Sequence, residues 1–294
     1  MTEAGRLRQL LNRNGMLIAP GAYDCITARL IGQAGFDAVY MTGAGTAATL
    51  GYPDFGLVTM SEMVGNARRI AAAAGLPVIA DADTGYGNEL NAFRTVREYE
   101  SAGVAGIHIE DQGFPKKCGH LDDKEIVPRE DWLAKIRAAL AARHDPDFLI
   151  IARTDARAVA GLDEAIARAN AALAVGAGMV FVEAPQTIAE VAAIPRLVNG
   201  PCLLNVVHGG KTPQLDLRDA EGMGYRMAIL PALLLQNIVG ICDRALAELR
   251  TTRHHPPPIA EMTVREMFRR VGADEWDARR DLFRPDFPAC DPAE

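Results

Sequence analysis

The chain has 294 residues, 49% of them hydrophobic, with a formal net charge of -7. That composition supplies a sizeable core and argues against disorder, and the acidic balance offers no basic surface for nucleic acid or an anionic membrane. The first fifteen residues lack the apolar stretch of a secretory signal, and the apolar run near Met227–Cys242 is interrupted by Pro231, Gln236 and Asn237.

The five cysteines (Cys25, Cys118, Cys202, Cys242, Cys290) are scattered, without metal-finger spacing. Reduced thiols in the cytoplasm are the expectation. A short polar helix is predicted over residues 1–15, ending at Gly15. Eight short apolar runs then follow: Met16–Pro20, Phe36–Met41, Pro77–Ala80, Gly106–Glu110, Phe148–Ala152, Met179–Val182, Cys202–Val206 and Met227–Leu230. Between them lie alanine-rich amphipathic segments with helix signals. A helix is expected over Ile26–Gln33, Pro128 suits the first turn of another ending near Arg143, and Thr187 with Glu190 forms a capping-box pattern. Gly75, Gly103 and Gly176 stand where helices should stop.

Alternation of strands and helices predicts parallel pairing, and the economical closed form is an α/β (β/α)8 barrel of the TIM type, with an open doubly wound sheet as the competitor. The polar residues favour the barrel. Thr42–Gly45, Asp81 and Asp83, Glu110 and Asp111, Arg153–Asp155, Glu183 and Asn205 all fall at the downstream ends of predicted strands, which a barrel gathers at one face. The barrel domain is expected to be complete by residue 249. Residues 250–294 read as a stiff Pro-rich linker at His254–Pro258 and two further helices, the first capped by Thr263 and Glu266 and running to Val271, the second near Asp274–Phe283. That tail is expected to dock on a neighbouring subunit.

Gly106–His120 carries the densest chemistry. Strand alternation puts His108 and Glu110 on one face. Beyond them Cys118 sits among Lys116, Lys117 and His120, where a lowered thiol pKa is expected. Asp81 and Asp83 share a strand face, and with Glu110 they form an all-oxygen cluster suited to Mg²⁺, or Mn²⁺, with water and substrate filling the remaining positions. The Thr42-Gly43-Ala44-Gly45 turn offers backbone N–H groups to a carboxylate, and Arg153 offers a bidentate grip. His108 reads equally as a core histidine. Tyr40 reads as packing, the methionines at 60 and 63 as core, and His144, His254 and His255 as surface residues. Gathered at one mouth, these groups suit cleavage of a C–C bond in a 2-hydroxy dicarboxylate in the retro-aldol sense, with a thiol protonating the carbanion.

Tyr40–Gly45, Gly51–Asp54, Asp81–Asp83, His108–Gln112, Lys116-Lys117-Cys118-Gly119-His120, Ala152–Asp155 and Glu183-Ala184 resemble the isocitrate lyase/phosphoenolpyruvate mutase superfamily across nearly the whole chain. The resemblance implies a Mg²⁺-dependent barrel with a gating loop around Cys118, and a homotetramer that swaps C-terminal helices. Carried over by position, it implies Asp81 and Asp83 as metal-site acids, with Glu110 supporting directly or through water. Thr42, Gly43 and Ala44 would hold the oxo-acid carboxylate with Arg153. Cys118 would be the general acid, tuned by Lys116 and His120, and Tyr40 or a metal-bound water would accept the hydroxyl proton. Asp54, Glu183 and Asn205 would complete the pocket.

The cysteine loop resembles the lyases and the related oxaloacetate hydrolases. Phe114–His120 and Gly209–Pro213 look most like 2,3-dimethylmalate lyases and oxaloacetate hydrolases. Methylisocitrate lyases usually carry Asn-Ile-Thr-Glu where this chain has Asn205-Val206-Val207-His208, and an arginine near Gln236, which argues against a tricarboxylate. A substituted-malate lyase is the leading expectation. Oxaloacetate hydrolysis, then methylisocitrate cleavage, follow, with a catalytically silent binding barrel as the reading from another class.

Overall fold

The computed structural model describes residues 1–283; residues 284–294, including Cys290 and the end of the expected tail, lie outside the described residues. Eight parallel strands close into a barrel in chain order. They are β1 (Leu17–Ala22), β2 (Val39–Met41), β3 (Val78–Asp81), β4 (Gly106–Glu110), β5 (Leu149–Thr154), β6 (Met179–Val182), β7 (Cys202–Asn205) and β8 (Met227–Leu230). The helices are α1 (Glu3–Asn12), α2 (Cys25–Gln33), α3 (Gly43–Thr49), α4 (Met60–Ala74), α5 (Glu89–Ser101), α6 (Arg129–Ala142), α7 (Ala156–Ala160), α8 (Leu162–Ala174), α9 (Ile188–Leu197), α10 (Leu217–Met223), α11 (Leu233–Thr252), α12 (Val264–Arg270) and α13 (Ala273–Phe283). The expected (β/α)8 barrel is what forms, and the doubly wound alternative is excluded by the β1–β8 pairing of Leu17–Pro20 with Met227–Leu230.

Two apolar layers build it. Ala19, Tyr40, Ile79, Ile151, Phe181, Leu203 and Ile229 fill the barrel interior with Leu7 of α1, while the alternate residues of the same strands pack on the surrounding helices. The period-2 alternation continues to the strand ends. Asp81 therefore keeps the inward phase of Ile79, His108 and Glu110 that of Gly106, and Arg153 that of Ile151. Glu183 follows Phe181 inward, and Asn205 follows Leu203. Register brings Asp81 beside His108, and Glu110 beside Arg153.

Element ends fall close to the sequence signals. The first helix stops at Asn12, while β3 and β5 run one and two residues further than their apolar runs, because ladder pairing continues into the polar ends. Thr187 does cap α9, accepting from the Glu190 N–H. The box is not reciprocal, since the Glu190 carboxylate is taken by Arg157 and by the Gln186 N–H.

The chain divides into two compact units, Met1–Val239 and the residues from Gly240 onward. In the second unit, α12 has the expected reciprocal cap between Thr263 and Glu266.

Candidate active site

The downstream ends of the strands enclose a cavity of about 100 Å³. That is small beside the roughly 300–1,000 Å³ of sites for drug-sized ligands and suits a compact organic acid. Of the residues expected there, Tyr40, Thr42, Ala44, Asp54, Asp81, Cys118, His120, Arg153, Glu183 and Asn205 line it. Gly43, Asp83, Glu110 and Lys116 are buried and do not line it. Phe181, Val207, Pro231, Ala232 and Leu235 also line the cavity, and sequence reading passed over them because single apolar residues carry no distinctive signal.

Asp81 ends β3 and is a hub. Its Oδ1 accepts the Asp83 N–H at 3.0 Å, and its Oδ2 receives the Gly43 N–H at 3.3 Å and the Tyr40 hydroxyl at 3.4 Å. A side chain at Gly43 would put its Cβ 2.5 Å from Asp81 Oδ2, so only glycine lets the β2 turn lie against that carboxylate. The Gly45 N–H is taken by the Thr42 hydroxyl. Two of the turn's N–H groups are thus spent inside the protein, and Gly43 serves Asp81 rather than a ligand. Burial alone would push Asp81 up, yet nearby positive charge and the Asp83 N–H hold it below the usual carboxylate range. Burial brings His108 down to about 4, so it is neutral at pH 7, and the cations that matter to Asp81 there are Lys116 and Arg153. His108 lies parallel to the Tyr40 ring, meets Phe181 edge-on, and shares a 2.8 Å hydrogen bond with the Tyr40 hydroxyl.

The other acids have cations from the chain itself. Lys116 Nζ is 2.8 Å from Asp83 Oδ1 and 2.5 Å from Asp54 Oδ1 with its side chain 2% exposed, so it is fully engaged by the two acids. Arg153 lies over the Phe181 ring and meets Asp155 at 3.0 Å, Glu110 at 3.1 Å and Glu183 at 3.3 Å. Despite that ion pair, both Glu110 carboxylate oxygens are buried without a hydrogen bond, and burial drives its pKa well up. Burial, offset by Lys116, leaves Asp83 raised to about 6.

The loop bearing Cys118 folds over this mouth. Its neck is a bridge between Gln112 and Ile126, with the Gly113 N–H donating to the Glu125 carbonyl. The Cys118 N–H donates to the Asp54 carbonyl. A Cβ on Gly119 would lie 2.5 Å from Glu183 Cγ and 2.6 Å from Arg153 Nη2, so the loop backbone rests directly on those side chains. His120 Nδ1 accepts the Lys211 N–H, and its other nitrogen faces Asn205 and Glu183.

The lowered thiol pKa expected at Cys118 is not what this arrangement produces. Burial pushes the thiol up to about 11, and Asp54 adds to the rise. The expected cations are unavailable: Lys116 is matched by two carboxylates, and burial lowers the pKa of His120. Cys118 is therefore a protonated thiol at neutral pH.

The phosphoenolpyruvate phosphomutase family model matches residues 7–250. A 2,3-dimethylmalate lyase of Eubacterium barkeri is 49% identical over 85% of this chain and 86% of its own length. The chain belongs to this family. By sequence it falls among the family's lyases. The structure of an oxaloacetate acetylhydrolase in complex with the inhibitor 3,3-difluorooxalacetate superposes on this member with a TM-score of 0.92 at 37% identity, covering 98% of this chain and 99% of that one. A phosphonopyruvate hydrolase in complex with oxalate and Mg²⁺ superposes at 0.86 with 31% identity, over 96% and 99% of the two chains.

Whether this family member's own residues suit Mg²⁺ can be tested on their arrangement. Among the described residues no three His, Cys, Asp or Glu side chains converge to hold a metal by themselves. Mg²⁺ seldom asks for that, binding through one or two carboxylates and keeping water and substrate oxygens for the rest. Asp81 faces the cavity, and the unbonded Glu110 oxygens lie behind it. The mouth also holds more carboxylates (Asp54, Asp81, Asp83, Glu110, Asp155, Glu183) than cations (Lys116, Lys124, Arg153). The donor set fits a hard divalent ion.

Proposed function

We propose that this protein splits an alkyl-substituted malate, of the 2,3-dimethylmalate kind, into a 2-oxo acid such as pyruvate and a carboxylate. The observation that carries this reading is the cavity's mixed lining: charged and polar Asp81, Arg153, Glu183 and Cys118 share it with apolar Phe181, Val207, Pro231, Ala232 and Leu235. The first group handles carboxylates and a carbanion, and the second offers contact to methyl groups and no charge for a third carboxylate. Gln236 and His208 line a separate cavity, where the Gln236 amide donates to the His208 carbonyl. Neither supplies what a tricarboxylate would need.

In this reading Arg153, Thr42 and Ala44 hold the 2-hydroxy acid carboxylate, Gly43 steadies Asp81 beside them, and Asp54, Glu183 and Asn205 complete the pocket. Tyr40 takes the proton of the 2-hydroxyl while passing its own to His108 Nε2. The C2–C3 bond breaks, the C2 oxygen becomes a carbonyl, and the electron pair goes to C3. The Cys118 thiol gives that carbon its proton and is left as a thiolate. The thiolate regains a proton, and His108 loses one, as products leave. Lys116 holds Asp54 and Asp83 in place, and His120 fixes the loop beside Cys118. Mg²⁺ (or Mn²⁺) would be held by Asp81, with Asp83 and Glu110 behind it, and would supply charge for the oxygens of the oxo acid.

A second reading, hydrolysis of oxaloacetate to oxalate and acetate, draws on the likeness to the oxaloacetate acetylhydrolase. Incubating the protein with Mg²⁺ and 2,3-dimethylmalate, other alkylmalates, methylisocitrate, isocitrate and oxaloacetate, with products followed by proton NMR, tests both. An oxo acid appearing with a carboxylate from an alkylmalate supports the lyase. Acetate from oxaloacetate alone replaces it with the hydrolase, and silence across the panel rejects both.

The assembly belongs to the same proposal. α12 leaves Val264, Met267 and Phe268 exposed, and α13 leaves Trp276 64% exposed, which suits a homotetramer that exchanges C-terminal helices. No described helix is long and apolar enough to cross a membrane. The described free cysteines, Cys25, Cys118, Cys202 and Cys242, suit a cytoplasmic setting.

A further inference from the structure

The segment Leu121–Glu125 looks like ordinary surface loop in sequence, and Leu121, Asp122, Asp123 and Glu125 are indeed exposed. Lys124 is the exception, with its side chain 1% exposed. Its ammonium donates to the Gly119 carbonyl at 2.5 Å and to Asp155 Oδ1 at 2.7 Å. One partner belongs to the loop that carries Cys118, and the other to the end of β5.

We propose that Lys124 is a positioning residue that fastens the Cys118 loop over the mouth, tying Gly119 to Asp155 and so coupling the thiol's placement to Arg153. Asp155 is a shared acceptor. Its Oδ2 takes the Arg153 Nε–H at 3.0 Å while Oδ1 takes Lys124 and, at 3.4 Å, Arg153 Nη2. The Asp155 backbone is itself held, its N–H donating to Asp111 Oδ1, and Asp111 is anchored by the Thr154 hydroxyl and Arg168. The tether therefore ends on a rigid part of the barrel. Gly119 has no side chain to keep it off Glu183 and Arg153, so pulling its carbonyl inward seats the backbone on them. Cys118 is the preceding residue and travels with it.

Other contacts of the loop act elsewhere. The Gln112–Ile126 bridge fixes the neck, Lys116 engages Asp54 and Asp83, and Lys211 clasps Asp122 at the exposed rim. Lys124 ties the loop at Gly119, next to the thiol. If the loop lifts, the ammonium and Asp155 part, while Arg153 keeps its carboxylate partner. Loss of Lys124 should accordingly free the thiol without removing the grip on a substrate carboxylate.

The proposal rests on Cys118 being the proton donor of the reaction proposed above, and its test has one arm that needs no substrate. Full-length protein and Lys124→Met are treated with iodoacetamide at one pH, and labelling of the Cys118 peptide is followed by mass spectrometry. With the tether gone the open loop is more populated, so Cys118 labelling should rise about tenfold or more. Far-UV circular dichroism and thermal melting show whether the variant is folded. With an active substrate, kcat should fall about tenfold or more while KM changes less than about threefold. Cys118 labelling at the parent rate in folded Lys124→Met would overturn the proposal. If the methionine variant does not fold, Lys124→Gln is read in the same way. Faster labelling with a silent substrate panel would uphold the tether and reject the function. Turnover on the panel with unchanged labelling would do the reverse.

Discussion

Val207 tests the proposed substrate most directly, because it offers methyl groups to the cavity and takes no part in the proton or charge chemistry. Val207→Thr nearly keeps the shape and exchanges one methyl for a hydroxyl. Against an alkylmalate, the change removes contact with a methyl, worth about 0.8 kcal/mol, and sets an unpaired hydroxyl against the substrate's apolar group, costing about 1–3 kcal/mol. The sum is about 2–4 kcal/mol, or roughly 20- to 600-fold in kcat/KM. Against malate, which lacks the methyl groups, water can sit beside the new hydroxyl and bond to it, so the change should stay within about threefold. The assay is kcat/KM for 2,3-dimethylmalate and for the unmethylated compound, on parent and variant. A ratio between the two substrates that stays within about threefold of the parent's would refute the assignment of Val207 to the alkyl groups, and equal losses on both, one form of that result, would make Val207 a support of the general architecture.

Cys118→Ser should lower kcat by about 10²–10⁴-fold, the usual contribution of a positioned proton donor, while oxalate affinity stays within about threefold; full turnover would remove the thiol from the reaction. The pH dependence of Cys118 labelling follows from its burial. A pKa raised to about 11 keeps the reactive thiolate scarce at neutral pH, so the rate should still be climbing between pH 9 and 10, above the roughly 8.5 of an ordinary thiol. A plateau just above pH 8.5 would contradict the buried, cation-poor setting. Asp81→Asn keeps hydrogen-bonding atoms at the hub but removes the carboxylate charge that faces the cavity. Mg²⁺ binding followed by calorimetry should be lost with the fold intact, and parent-like Mg²⁺ affinity would show that the ion is held without Asp81.

Much of this protein was determined by the sequence alone. Alternating short apolar runs and helices required crossover connections, and the period-2 phase of each strand was enough to predict a barrel with Asp81, Glu110, Arg153, Glu183 and Asn205 near one mouth. Glycine-rich turns and capping residues marked most element ends to within one or two residues. These are local rules, and they survive without knowledge of neighbours. Charge matching did not follow from local rules. Lys116, expected to tune the thiol, is held by Asp54 from the β2 side and Asp83 from β3, and burial, with Asp54 beside it, gives Cys118 a high pKa in place of the expected low one. Gly43 served Asp81, and Lys124 left an exposed stretch to reach Asp155, because both contacts join segments far apart in the chain. The apolar lining of Phe181, Val207 and Leu235 arose the same way. Which cation faces which acid, and which methyl group faces the cavity, depends on distances across the closed barrel, and only the tertiary structure sets those.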